Sequence, residues 1–348
     1  MKLFLVGMLI TLAASCEGET DASKLFAIQL EGNKKEFKQG DLSGIALSNK
    51  EGKQIGTITY MIQGEALSVE GGKIHFDGDH LGNRKLVARF EYDGKTTTVE
   101  KNIRILAKTP PKIFTYEILN TYPHDPKAYT QGLEFIGDTL YESTGKLEKS
   151  TLRKIDFESG TVLQSIPLDP KVFGEGITIL GDRLYQLTWQ SGFGYVYELD
   201  GLKKIENFSY GQSREGWGLC NDGTKIFKSD GTEKIWFLDP ENLAETGYIE
   251  TVTNKSVFNK ANELEYVDGK IYANVYGKES MMIINAKSGA IEGVVNFGGL
   301  KKLVDKKVAD WDEANSVLNG VAYHKSRQSF FVTGKNWDKM FEVKISER

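Results

Sequence analysis

Short runs of alternating hydrophobic and polar residues, divided by glycine-, asparagine- and lysine-rich turns, fill the chain from residue 24 onward. The first group comprises "KLFAIQL", "SGIAL", "GTITYMI", "KIHFDG", "KLVARFEY" and "TTTVEKNIRIL". Between them lie "EGNKK", "NKEGK", "EGGK" and "EYDGK". Period-two alternation between frequent turns predicts strands, and this series predicts a small, Ig-like β-sandwich over 24–106. "AKTPPK" at 107–112 reads as a stiff linker. Nothing in the sandwich looks catalytic, so the segment reads as a spacer.

Beyond the linker the pattern repeats. "GLEFIGDTLYEST", "GITILGDRLYQLT" and "GLCNDGTKIFKSD" begin at 132, 176 and 218, and "ELEYVDGKIYANV" and the looser "GVAYHKSRQSFFVTG" follow at 263 and 320. Each copy holds a strand, a tight turn and a second strand, and most continue into a third and a fourth. A period of about 40–45 residues with four strands per unit is the signature of a propeller blade. The fold class is therefore all-β, with a five-bladed β-propeller over 113–348 behind the sandwich. The last copy has room for only three strands, and "IFTYEIL" at 113–119 is the expected fourth, closing the ring.

Composition narrows the function classes. Net charge −4 and a pI near 5.8 give no reason to expect nucleic-acid binding. Residues 1–16 read as an export signal: Lys2, an apolar run too short for an ordinary membrane span, then "LAASC". That ending resembles a bacterial lipoprotein signal, which would put a lipid on Cys16 and a polar tether over 17–23. The protein is then exported, to the periplasm or cell surface, and held at a membrane. Cys220 is the one other cysteine and reads as a small packed residue. The four histidines are scattered and no metal-binding spacing occurs, so neither a metal nor another cofactor is expected.

Propellers carry function at one mouth of their channel. The segments that enter the five innermost strands are "YTQGLEF", "FGEGITI", "EGWGLCN", "ANELEYV" and "VLNGVAY", and all five reach the same end of the ring. Tyr129, Gln131, Phe173, Glu175, Trp217 and Asn262 therefore converge there, joined by Trp189, Lys335 and Trp337 from other loops. One such glycine–aromatic pair alone would be ordinary packing. Aromatic walls with few polar groups describe a pocket for a small molecule or a peptide terminus. A carboxylate in such a pocket is desolvated, its pKa rises, and Glu175 becomes a candidate general acid/base.

Nine ordered motifs between about Tyr122 and Val343 then become recognisable: "YPHDPKAYTQGLEF", "LYESTG", "FGEGITIL", "LYQLTW", "GWGL", "SDGT", "NELEY", "LNGVAY" and "VTGKNW". Together they resemble the plant-type glutaminyl-peptide cyclotransferases, five-bladed propellers that turn N-terminal glutamine of peptides into pyroglutamate, release ammonia and need no metal. The resemblance implies Glu175 as acid/base. It implies Tyr129, Gln131, Phe173, Trp189, Trp217, Asn262 and Lys335 as substrate-binding residues. Where the plant pattern has a tryptophan, this chain has Tyr276. A ring closed by its own first strand has no need of a partner subunit, so a monomer is expected. The rival readings are a non-catalytic propeller that binds peptides or a surface partner, and a calcium-dependent hydrolase using Glu175, Asn262 and Asn319. The runs "KLEK" at 146–149 and "KKLVDKK" at 301–307 read as solvated turns or a short surface helix.

Overall fold

The structure, a computed structural model, describes residues 22–348. The export signal, Cys16 and most of the tether lie outside the described residues. The tether's last two residues open a four-residue helix, Ala22–Leu25. That is the only α-helix among the described residues, against 29 strands, so the chain is all-β.

The first strands form two sheets over one core. One sheet contains Phe26–Leu30, Leu42–Asn49, Lys73–His75 and Val69–Glu70. The other contains Glu36–Lys38, Lys95–Leu106, Gly82–Tyr92, Thr59–Ile62 and Glu65–Ala66. Alternation places Phe26, Ile28 and Leu30 inward, facing Leu86, Ala88, Phe90 and Ile103 from the other sheet. Glu36–Lys38, Glu65–Ala66 and Val69–Glu70 are too short to leave an alternation in the sequence.

The repeated region forms four-stranded antiparallel units. The first runs through Thr130–Ile136, Thr139–Thr144, Thr151–Asp156 and Thr161–Pro167, and the next two begin at Gly174–Leu180 and Leu219–Asn221. The fourth begins at Ala261–Val267 and the fifth at Leu318–His324. Their first strands are neighbours in cyclic order, and the fifth lies beside the first. These innermost strands are buried on both faces, as in Gly174–Leu180, which explains their nearly continuous apolar runs. The outermost strands, such as Thr161–Pro167, are largely exposed and keep a polar face. Strand Lys112–Pro123 supplies the fifth unit's outer edge, antiparallel to Lys339–Glu347. Its first residues also pair in parallel with Ile291–Asn296, which fuses the fourth and fifth units into one eight-stranded sheet.

The amino-terminal sheets are packed against the third unit. Arg84 and Glu250 form an ion pair at 2.8 Å with side chains only 2% and 3% exposed. The second Glu250 oxygen accepts the Asn83 backbone N–H at 2.8 Å. A Cβ on Gly82 would lie 2.5 Å from that carboxylate, so only glycine fits there. Val252 completes the amino-terminal core, and Ala107, at the head of the linker, donates its N–H to the Thr253 carbonyl. Removing one partner of a buried pair strands the other charge. Arg84→Met is expected to lower the unfolding free energy by about 3–5 kcal/mol in urea titration; a loss under about 1 kcal/mol would mean that water reaches Glu250 and compensates it.

Candidate active site

The first residues of each innermost strand depart from regular pairing. Register shifts fall between Thr130 and Gly132, Gly174 and Ile177, Ala261 and Leu264, and Leu318 and Val321. A bulge of this kind frees one or two residues from the ladder and re-aims their side chains. The freed residues include Gln131, Glu175, Asn262 and Asn319, and Trp217 holds the equivalent place ahead of Leu219–Asn221. Five turns of one repeat thus deliver five different side chains to one place.

They line a cavity of about 210 Å³ with Tyr129, Phe173, Trp189, Lys335 and Tyr276; Asn319 stands one layer behind. All eight residues singled out for catalysis or substrate binding are present. Tyr276 stands in the wall where the resemblance left a doubt, its ring edge-on to Trp217 at 5.4 Å. Phe173 packs edge-on against both Tyr129 and Trp189. Trp189 and Tyr276, 39% and 36% exposed, form the rim. Trp337 does not join the cavity. It is wholly buried in the core between the fourth and fifth units, where its indole N–H is donated to the Ser316 carbonyl.

Glu175 is buried at the floor and accepts a hydrogen bond from the Gln131 amide at 3.0 Å. Gln131 is itself oriented, because its carbonyl oxygen accepts from Asn319, whose own oxygen accepts from Asn262 at 2.9 Å. Burial pushes the Glu175 carboxyl well above the usual range. The nearby Lys335 ammonium opposes the shift and Glu215 adds to it. Burial also lowers Lys335 to about 8, against the pull of Glu175. Its ammonium lies over the Tyr129 ring at 4.7 Å and the Tyr276 ring at 5.3 Å. Burial raises the Tyr129 phenol to about 12, so it stays protonated. The site therefore combines a proton-holding carboxyl, a lysine near its titration point and amide donors inside an aromatic wall.

Several contributors left no clear mark in the sequence. Glu215 accepts the indole N–H groups of both Trp189 and Trp217, at 2.8 and 2.9 Å, and the Gln190 amide as well. These bonds hold its carboxyl below the usual range despite partial burial. Its spacing of two residues from Trp217 in an extended segment was the only available signal. Buried Lys228 secures the same loop by donating to the Glu215 backbone carbonyl at 2.9 Å and to the Ser213 hydroxyl. Lys146, in the run read as a solvated turn, is half-buried, and its ammonium lies 4.8 Å from the Tyr129 ring centre. In "KKLVDKK" the first lysines form a 3₁₀ turn, Leu300–Lys302. Cys220 is packed in a core with its thiol pushed up by burial. Among the described residues, no three His, Cys, Asp or Glu side chains are grouped to hold a metal ion.

An acid-bearing aromatic cavity at the centre of a ring of β-sheet units defines a protein that works on one small group held in its channel mouth. The profile described as "Glutamine cyclotransferase" matches residues 89–345, which includes every residue of the cavity. The chain belongs to the glutamine cyclotransferase family. It is 37% identical over 237 residues to the glutaminyl-peptide cyclotransferase of Arabidopsis thaliana, covering 68% of this chain and 73% of that one. The crystal structure of Myxococcus xanthus glutaminyl cyclase superposes with a TM-score of 0.63 at 32% identity, covering 68% of this chain and 99% of that one.

Replacing Glu215 by alanine is expected to free both indoles, move tryptophan emission to the red and cost about 1–2 kcal/mol of stability. Glu215→Gln, which keeps an acceptor oxygen, should fall between. Unchanged emission in the alanine variant would show that ring packing alone holds the tryptophans.

Proposed function

We propose that this protein is a glutaminyl-peptide cyclotransferase: an acyl-transferring enzyme that converts the N-terminal glutamine of peptides or proteins to pyroglutamate and releases ammonia, without a metal. The observation that carries the reading is the buried Glu175 carboxyl facing an oriented amide inside an aromatic cavity of about 210 Å³. That volume lies below the roughly 300–1,000 Å³ of drug-sized ligand sites, and suits one residue with its chain leaving through the mouth.

The reaction is intramolecular, so orientation supplies much of the acceleration. The α-amine attacks its own side-chain carboxamide carbon, forming the ring C–N bond. With a pKa of about 7.7–8.0 the amine is partly neutral at physiological pH. Glu175 takes the proton released by the attacking nitrogen and delivers it to the amide nitrogen, which leaves as ammonia when the old C–N bond breaks. Lys335 and the Asn262 and Gln131 amides stand near enough to stabilise the carbonyl oxygen as it gains charge. Tyr129, Phe173, Trp189, Trp217 and Tyr276 hold the side chain folded for attack.

The wider reading follows the repeat. Residues 113–348 form a five-bladed β-propeller, supported by five units whose first strands neighbour one another in a closed cycle. Residues 24–106 form an Ig-like sandwich and 107–112 the linker. The signal over 1–16 exports the chain, and lipid on Cys16 holds a monomer at a bacterial membrane, in the periplasm or at the cell surface.

Ammonia release from a short peptide with N-terminal glutamine, in the presence of chelator, tests the reading. Wild type is expected to turn over, and Glu175→Gln to lose at least about 10²-fold while remaining folded. Lys335 is charged below about pH 8 and neutral above it, so oxyanion stabilisation is lost as pH rises through that value. The amine loses its proton over the same range, and a bell-shaped profile results. Lys335→Arg, permanently charged, should remove the alkaline limb. Full turnover by Glu175→Gln, or loss of activity with chelator, would overturn the mechanism.

A further inference from the structure

The segments "YPHDPKAYTQG" and "VTGKNWDK" bring Tyr129, Gln131 and Lys335 to the cavity, while His124 and Asn336 within them do not line it. These two residues stitch the segments together behind the cavity wall, at the seam where the fifth unit meets the first. The His124 backbone N–H is donated to the Asp338 carbonyl at 2.9 Å, and that of Asn336 to the Ala128 carbonyl at 2.8 Å. The Asn336 side-chain amide donates to the Pro126 carbonyl at 3.0 Å. Lys335 is thereby held beside Tyr129.

The His124 ring is buried at that seam. Its Nδ1 lies 2.8 Å from the Trp337 carbonyl oxygen, and its Nε2 lies 3.0 Å from a Glu142 carboxylate oxygen. The Thr333 hydroxyl, 3.5 Å from Nδ1, gives its own proton to the Lys339 carbonyl. Every partner of the ring can only accept, so both nitrogens carry protons and the ring is an imidazolium. Burial opposes that charge, but the Glu142 carboxylate, the two hydrogen bonds and nearby Asp125 outweigh it and hold His124 above its ordinary pKa. The same Glu142 oxygen accepts the Thr130 hydroxyl at 2.8 Å. The other faces the Arg153 guanidinium at 3.7 Å, which is paired in turn with Asp125 at 2.9 Å. Asp125, Arg153, Glu142 and His124 form a row of alternating charge.

We propose that His124, as an imidazolium paired with Glu142, is a positioning residue for the cyclisation, fixing Lys335 against Gln131 across the seam of the ring. The inference rests on the cyclotransferase reading and deepens it. One end of the ion pair grips the carbonyl two residues after Lys335. The other end, through Thr130, grips the strand one residue before Gln131. The Thr130 carbonyl also accepts the Asn319 amide that orients Gln131. Lys335 and Gln131 serve one developing oxyanion, so their spacing matters. A misplacement of about 1 Å can cost on the order of 10²-fold in rate.

Two variants of the full chain test this: His124→Gln, which removes the charge, and Thr130→Val, which removes one hydroxyl bond at nearly constant shape. Ammonia release from glutaminyl-alanine amide gives kcat per folded molecule, and NMR of ¹³C-labelled lysine gives the Lys335 titration. His124→Gln is expected to lower kcat about 10- to 100-fold with KM changed less than about threefold. Its Lys335 titration should move from about 8 toward the ordinary 10.5 as the loosened loop admits water. Lys335 faces Glu175, Tyr129 and Tyr276, none of which is altered. Thr130→Val should show both effects more weakly, with kcat about three- to ten-fold down. An unmoved Lys335 titration, or a kcat within about twofold of wild type, would overturn the proposal, since a purely structural role changes only the folded fraction. If His124→Gln does not fold, Thr130→Val decides by the same readings. In wild type the His124 ring should keep both protons above the pH at which an ordinary histidine loses one; loss at about 6.5 would also overturn it. If wild type releases no ammonia, the cyclotransferase reading fails instead, and the Lys335 titration alone decides whether His124 holds that loop.

Discussion

The molecule depends on how closely five strands approach one another at the head of its channel. A Cβ on Gly132 would lie 2.6 Å from the Ile177 nitrogen, one on Gly176 would lie 2.6 Å from the Gly218 Cα, and one on Gly218 would lie 2.0 Å from the Asn262 carbonyl oxygen. Backbone there touches backbone, so no side chain larger than hydrogen fits. The fourth unit breaks the rule with Glu263, and its carboxylate spans the axis instead. One oxygen accepts the Leu133 N–H at 3.1 Å and the other the Val321 N–H at 2.9 Å. Burial pushes this carboxyl far upward, and the two backbone donors oppose that shift. It serves the ring as a strut.

The chemistry follows from that neck. Each residue just before the constriction has its side chain turned toward the axis, and the repeat supplies Gln131, Glu175, Trp217, Asn262 and Asn319 in turn. A narrow floor excludes water from Glu175 and Lys335, and the same desolvation raises one pKa and lowers the other. No single loop could hold a carboxyl, three carboxamides and a lysine at this density. The ring does so because each unit contributes one short, rigid position.

Much of this was legible in the sequence because it is periodic. "YTQG", "FGEG", "EGWG", "ANEL" and "VLNG" occupy the same place in each copy, and reading them together found the carboxyl and the amides of the cavity wall, while Lys335 came from another loop. The strand that closes the ring was legible from a deficit, since the last copy has only three strands of its own. What escaped is what periodicity does not carry. Glu215 matters because two indoles from different loops reach it, and Lys228 because its ammonium reaches back to that loop. Trp337 looked like a wall residue beside Lys335, but its side chain turns into the core. The Arg84–Glu250 pair joins residues 166 positions apart and leaves no local trace. It holds the amino-terminal sheets, read from the sequence as a spacer, against the third unit.

The central claim is that the cavity keeps a proton on Glu175 at a pH where an ordinary glutamate has lost it. The direct measurement is the infrared difference spectrum between wild type and Glu175→Gln, taken across a pH titration. The account predicts a protonated-carboxyl band in wild type that persists to higher pH than an ordinary glutamate's and that the variant lacks. Complete ionisation of Glu175 by about pH 5 would contradict it, because a carboxylate of ordinary pKa is too weak a base to take the attacking amine's proton and carry it to the departing ammonia.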